Sequence, residues 1–222
     1  MARMGRLAFD HALQLHEDLI HLWERGSYGS ALALSVLAAE EIGKYVLLEE
    51  LVYRAIIGSS WYTTKDEQRE YLQKMYDHRT KQTQFGQQAE MSIPAALLEH
   101  VYGGGLERDK QRALYVGLPR RGKSIDMDAR VIAPQYTGKK QAARQITTVS
   151  DTLLVLAVGT AKGYQFLDLD EVHDMMTLRL ARALREWWPH IGRPAYTYVR
   201  KVHPAILTSA KRKKARRGRK RD

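Results

Sequence analysis

Between Ser27 and Ile56 the chain runs without a proline and is rich in alanine and leucine, yet three charged residues sit inside its most apolar part. From Ala31 to Leu48 almost every face of a helix would be apolar, which is the pattern of a rod buried on all sides. The stretch is about one bilayer thickness long, but it contains Glu40, Glu41 and Lys44, so it reads as the central helix of a soluble fold and not as a membrane span. A seven-residue repeat begun at Leu34 gives a seam of Leu34, Leu37, Glu41, Lys44, Leu48 and Leu51, with Glu40 on its flank. Lys44 is within helical reach of both Glu40 and Glu41. Gly43 lies between them. An interior glycine costs a helix about 1 kcal/mol relative to alanine, so its place points to close approach by another helix or a ligand. Buried charge costs several kcal/mol unless it is paired. The cluster therefore needs partners from elsewhere, either as an ion pair that fixes helix register or as a polar site between helices; the second reading is favoured.

The next helical stretch offers such partners. Thr64 and Asp66 are cap candidates for a third helix that runs to Phe85, before Gly86. Its apolar stripe is Tyr71, Met75, His78, Gln82 and Phe85, so His78 stands where an apolar residue is expected. Lys81 follows one turn later, and Asp77 and Arg79 flank the histidine. If the two helices pack antiparallel through a connection at 57–63, a rise of about 1.5 Å per residue brings Glu41 and Lys44 to the height of His78 and Lys81. A satisfied core histidine is the plain reading of His78 alone; the match in height favours a shared site.

The rest of the chain is also mainly helical. Ala8, Ala12, Leu15, Leu19 and Leu22 form the stripe of a first helix ended by Gly26, with Ser27 as the cap of the next. Ile146, Val149, Leu153, Leu156 and Ala157 share a side of a helix over Gln141–Gly163, and another is expected from about Asp168 to Trp188, broken by Pro189 and Pro194. The expected architecture is an all-α bundle over 1–102 and 135–190. Residues 103–134, with Gly103-Gly104-Gly105 and the strand-like runs Ala113–Val116 and Arg130–Ile132, read as an irregular insertion with one hairpin near Pro119–Gly122. Residues 191–222 are a C-terminal extension.

Ala31-Leu-Ala-Leu-Ser-Val-Leu-Ala-Ala-Glu-Glu-Ile-Gly-Lys44 followed by His78-Arg-Thr-Lys81 resembles the abortive-infection AbiV-type branch of the HEPN superfamily, and Leu114-Tyr115-Val116 before a final helix pair is similar as well. The resemblance covers about residues 8–188. It implies a HEPN-like helical bundle, commonly dimeric and associated with anti-phage defence; many HEPN proteins are metal-independent endoribonucleases, while others only bind. The superfamily's nuclease motif is an arginine, four to six residues, then histidine. The near match is Arg185-Glu-Trp-Trp-Pro-His190, where Pro189 makes a continuous helical site doubtful. The expected catalytic set is therefore Glu40, Glu41, Lys44, His78 and Lys81. Cleavage of RNA without a metal uses the 2′-hydroxyl as nucleophile. Histidine, whose ordinary range lies near neutrality, is the natural acid or base, Lys44 and Lys81 would stabilise phosphate charge, and Glu41 would orient Lys44 or assist as base, with Glu40 as its backup. The alternative is a non-catalytic module that blocks growth or translation by engaging a phage or host component. No cofactor and no metal is expected. A homodimer is, and a phage protein or an antitoxin is a further candidate partner.

The formal charge is +11, and nine of the 36 lysines and arginines crowd into residues 211–222 with one acid. Lys211, Arg212, Lys213, Lys214, Arg216, Arg217, Arg219, Lys220 and Arg221 form a low-complexity tail, expected to be disordered without a partner. With Arg79, they are the candidate nucleic-acid contacts, through counterion release and without base reading; a tail that only raises solubility is the competing reading. The absence of cysteine excludes disulfide scaffolds, cysteine nucleophiles and thiolate metal sites. No secretory signal is visible, so a cytoplasmic location is expected.

Three patterns are decoys. Gly117-Leu-Pro-Arg-Arg-Gly122-Lys123-Ser124 matches a phosphate loop, but the helical sequence upstream supplies no parallel sheet and a following helix would be short, ending by Pro134, so nucleotide binding through 117–124 is the weaker alternative. His11, His16 and His21 recur every five residues and do not share a helix face. Asp170, His173 and Asp174 do share one, but acids at a helix start need no metal to explain them. The late Trp187, Trp188, Tyr196 and Tyr198 fit a core or an interface.

Overall fold

A computed structural model describes residues 2–57, 64–114, 120–121, 124–125, 127–128, 130–131, 137–162 and 170–208. Among these the chain forms the helices α1 (Ala2–Glu24), α2 (Tyr28–Ile56), α3 (Lys65–Lys74), α4 (His78–Ala89), α5 (Ala95–Tyr102), α6 (Gly105–Leu114), α7 (Lys139–Thr160), α8 (Asp170–His173), α9 (Leu178–Trp187) and α10 (Arg193–Val202). Two two-residue strands, β1 (Arg120–Arg121) and β2 (Ser124–Ile125), pair antiparallel with Arg120 opposite Ile125. The fold is the expected all-α bundle. No described helix is long and apolar enough to cross a membrane.

The central rod is α2. It packs against α1, α4, α6 and α7, and Ala31, Val36, Ala38, Ala39, Ile42 and Leu48 are all fully buried. Gly26 (φ +81°) lets the chain turn from α1 into α2; Ser27 occupies the cap position but makes no side-chain cap bond. In α7 the buried face is broad: Ile146, Val149, Leu153, Leu156 and Ala157, the expected side, lie in the core with Leu154, Val155 and Val158. At residue 43 an added Cβ would stand 1.8 Å from the carbonyl oxygen of Lys81, so glycine is what lets α2 and α4 touch backbone to backbone.

Four expectations are corrected. The third helix is not continuous to Phe85. Asp77 ends it by capping a new one: its carboxylate accepts from the Thr80 N–H at 2.6 Å, and α4 starts at His78. The Thr64 cap is present, as a reciprocal box with Glu67. The irregular insertion is helical at its start. After Gly104 (φ +72°), α6 carries Ala113 and Leu114, expected to be extended, and buries Leu106, Lys110 and Ala113 at three-and-four spacing. The helix expected from Asp168 to Trp188 is divided, because Thr177 caps α9 by accepting from the Leu180 N–H. Pro194 does not merely break a helix; it lies in the first turn of α10, where a missing N–H is harmless.

The hairpin is present, as β1 and β2 bracketing Gly122 and Lys123. Its antiparallel ladder is the wrong setting for a phosphate loop, which joins a parallel strand to a helix. Lys123 itself, residues 58–63 of the expected connection, Tyr115, Val116, Asp168 and the basic tail from Lys211 to Arg221 lie outside the described residues.

Candidate functional site

Around a helix, neighbours in sequence point about 100° apart. The pair Glu40-Glu41 is divided in this way. Glu40 and Gly43 share the face of α2 that meets α4, and Glu40 is 2% exposed. Glu41 and Lys44 share another face. There the Lys44 ammonium lies 3.6 Å from Glu41, and His11 of α1 approaches the same carboxylate at 3.8 Å. The expected seam is therefore misphased. Leu34, Leu37, Glu41 and Lys44 lie on the part-exposed side of the rod, and the flanking residue, Glu40, is the one in the interior. A helix apolar on nearly every side carries no periodicity by which to phase it.

Glu40 is the hub of a cluster drawn from three helices. From α4, the His78 ring nitrogen Nδ1 lies 2.7 Å from Oε2, the Gln82 amide donates to Oε1 at 2.9 Å, and the Lys81 ammonium stands 3.6 Å from Oε2. From α6, the Lys110 ammonium donates to Oε1 at 2.8 Å. Lys110 also lies 2.8 Å from Glu107, one turn earlier on its own helix, and Gln82 approaches that carboxylate at 3.3 Å. Of the residues expected together, Glu40, His78 and Lys81 meet. Glu41 and Lys44 form a separate surface pair, and Arg79 is exposed beside His78. Lys110, Glu107 and Gln82 are members that sequence reasoning missed. The signal for Lys110 was its place between Leu106 and Ala113 on one stripe, hidden by the triple glycine that precedes it.

Burial alone would push the Glu40 carboxyl up. The hydrogen bonds from Lys110, Gln82 and His78, with the Lys110 charge, overcome this and hold it below the ordinary carboxylate range. Glu107 is likewise held down, against its burial, by Lys110 and Gln111. Lys110 is desolvated, but its bonds to Glu107 and Glu40 raise its affinity for the proton. Two carboxylates and two ammonium groups thus balance one another, Glu40 in the interior and Glu107 at its edge. A carboxylate facing an imidazole nitrogen at 2.7 Å requires a proton between them. Because Glu40 is ionised, that proton resides on His78 Nδ1. The second ring nitrogen, Nε2, belongs to a side chain that is 54% exposed and is not engaged by Glu40.

Glu40, His78 and Glu107 offer ligand atoms within 4.8 Å of one another, a donor set that fits a divalent cation by type. The Lys110 ammonium lies 2.8 Å from both carboxylates and 3.4 Å from His78 Nδ1, so it supplies positive charge to the same three groups. The other candidates play different parts. Arg185 is buried and donates to the carbonyls of Trp188, Pro189 and His190, closing the end of α9, so the arginine–histidine near match is a structural turn. His16 is fully buried with both ring nitrogens unpartnered, whereas His11 and His21 are exposed. Trp188 is buried edge-on against Trp23 at 5.1 Å and donates to Thr147, Trp187 and Tyr198 pack against the same core, and Tyr196 is exposed.

The family model described as AbiV, of the HEPN group, matches residues 1–154, a span that contains every member of the cluster. No curated protein and no solved structure matches the chain.

Proposed function

From the premise that the chain belongs to the AbiV-type HEPN family, whose role is abortive-infection defence, we propose that it is an anti-phage effector that cleaves RNA without a metal ion, with His78 as the proton-transfer group. What carries the reading is a single arrangement: a half-exposed imidazole held at 2.7 Å by a buried, ionised carboxylate. Glu40 fixes the ring's tautomer and orientation and stabilises the imidazolium that forms when Nε2 takes a proton. In strand cleavage Nε2 takes the proton of a 2′-hydroxyl, whose oxygen attacks the adjacent phosphorus. The bond to the 5′-oxygen breaks, and that oxygen leaves with a proton returned by the imidazolium. The products are a 2′,3′-cyclic phosphate and a 5′-hydroxyl end. Charge on the phosphorane would be met by Lys81, and by Arg79 at the exposed rim. Glu41 and Lys44 face elsewhere and are assigned no step. Lys110 holds Glu40 and Glu107 in place.

A second reading is favoured by one observation. Both buried lysines of the cluster are already neutralised by Glu40 and Glu107, which suits a module that binds a phage or host component and does not cleave. Incubation of the full chain with total RNA, with and without a chelator, separates the two. Chelator-resistant cleavage leaving cyclic-phosphate ends supports the nuclease; binding without cleavage supports the module. RNA as partner, the cytoplasm as the place of action, a homodimer, and an antitoxin or phage protein as regulator belong to this proposal. Light scattering of the purified chain tests the dimer, and a monomeric mass would remove it.

A further inference from the structure

A second concavity lies away from the Glu40 cluster, where α2, α6, the 130–131 segment and the start of α7 meet. It has a volume of about 440 Å³, within the range of small-ligand sites. Val131, an exposed side chain, gives it an apolar wall and the buried Leu32 lies beneath, while Arg112 and Arg130 bring two guanidinium groups to its lining. Among the described residues neither arginine lies in an ion pair, although Asp109 lines the same space; Asp109 is held instead by His100 at 2.9 Å. Thr137 and Gln141 line the remaining side and flank the first turn of α7, a 22-residue helix whose cap residue, Gly138, offers no side-chain acceptor to its free N–H groups. The chemistry is cationic at the rim, apolar beneath, and supplied with an amide and a hydroxyl. An anion alone would not use the apolar surface, and an apolar ligand alone would not engage the two exposed guanidinium groups.

We propose that this cavity binds one nucleotide, its phosphate held by Arg112 and Arg130 and its base packed against Val131. Guanidinium groups suit phosphate by their paired donors, and bases pack on apolar side chains with their edges read by hydrogen bonds, here from Gln141 and Thr137. The nucleotide is either free or one unit of a single strand. Leu32 lies eight residues before Glu40 on the same helix, about 12 Å along its axis, and Arg112 follows Lys110 on α6. One strand could therefore occupy both places. The inference goes beyond strand cleavage and assigns nothing to His78 or Glu40.

The test uses the full chain and a fluorescent 2′-O-methyl oligoribonucleotide, which lacks the attacking hydroxyl and cannot be cut. Anisotropy titrations compare the unaltered protein with Arg112→Gln/Arg130→Gln and with Arg3→Gln/Arg6→Gln, a control that removes equal charge from exposed positions of α1. The basic tail is common to all three. Loss of about tenfold or more in affinity in the first variant alone is expected, as is competition by nucleoside 5′-monophosphates at concentrations where inorganic phosphate has no effect. Competition by mononucleotides below millimolar concentration identifies a free ligand. Tight strand binding that only millimolar mononucleotide displaces identifies a strand unit. Equal loss in both variants, no loss in either, or phosphate competing as well as the nucleotides overturns the proposal. A protein that binds the strand through these arginines yet never cuts ordinary RNA overturns the nuclease reading and leaves this one intact.

Discussion

Glu40 and His78, 38 residues apart in the chain, meet at 2.7 Å because Gly43 lets α4 lie directly on α2. The carboxylate is inside and the ring is half outside. An ionised group is stable there only because Lys110, Gln82, His78 and Lys81 surround it. The same surroundings fix which ring nitrogen faces solvent, so the fold's electrostatics and the proposed chemistry share their parts.

His78→Ala is expected to lower RNA cleavage by about 100-fold to 10,000-fold, the usual worth of a positioned proton-transfer group, while the protein still folds, with a lower urea midpoint because Glu40 loses one of its partners. His78→Gln should be equally inactive, since an amide can bond to Glu40 but cannot carry a proton. Full activity in either variant, read from cyclic-phosphate ends on a defined RNA, removes His78 from the mechanism.

Neutralising the two adjacent glutamates should have unlike effects. Glu40→Gln leaves Lys110 and Lys81 facing a neutral amide in the interior, and a loss of about 3–5 kcal/mol is expected. Glu41→Gln weakens a part-exposed pair with Lys44, worth about 0–1 kcal/mol. Urea unfolding of the two variants side by side checks the contrast. Equal destabilisation would mean that the two carboxylates do not differ in burial as described.

Much of this was legible in the residues, and what was not has definite causes. Glycine inside a helix of Ala and Leu announced the close contact, and His78 in an apolar stripe announced a polar partner. The identity of the inward glutamate was hidden because an all-apolar rod has no phase. Asp77 looks like a flank in the sequence because the stripe from Tyr71 to Phe85 continues across it, although a cap bond from Thr80 restarts the helix there. Three glycines in a row masked α6, and with it the Lys110 that joins Glu40 to Glu107. A buried lysine reads as a surface residue until its acids are known.

Gly43→Ala should destabilise the fold despite alanine's better helix propensity. The propensity gain is about 1 kcal/mol, but the new methyl would meet the Lys81 carbonyl at 1.8 Å, and the contact is with backbone that cannot swing aside. A net loss of about 1–3 kcal/mol is expected, together with reduced cleavage because α4 carries His78. A variant of unchanged midpoint would show that the two helices can separate freely at this point.

Asp151 of α7 gives the sharpest pH dependence. It is 2% exposed; it accepts the Gly192 N–H at 2.8 Å through Oδ2, while Oδ1 has no partner. Burial pushes its carboxyl up to about 7, outweighing the Gly192 bond and the charge of Arg185. Its folded value is thus above its unfolded one, near 3.8. The folded protein holds the proton through the interval between them, so this group's stabilisation is complete below pH 3.8 and is lost as the pH rises to about 7. His16 acts in the opposite sense: burial lowers it to about 4, so stability is lost as the pH falls from 6.5 toward that value. Asp151→Asn keeps an acceptor for Gly192 and removes only the titration. Relative to the unaltered protein, the variant should gain about 3 kcal/mol on going from pH 5 to pH 8, at about 1.4 kcal/mol for each unit crossed. Urea midpoints for both proteins across that range measure the difference directly, and groups titrating alike in the two cancel. A difference that stays constant with pH would mean that Asp151 is already ionised in the folded chain at pH 5.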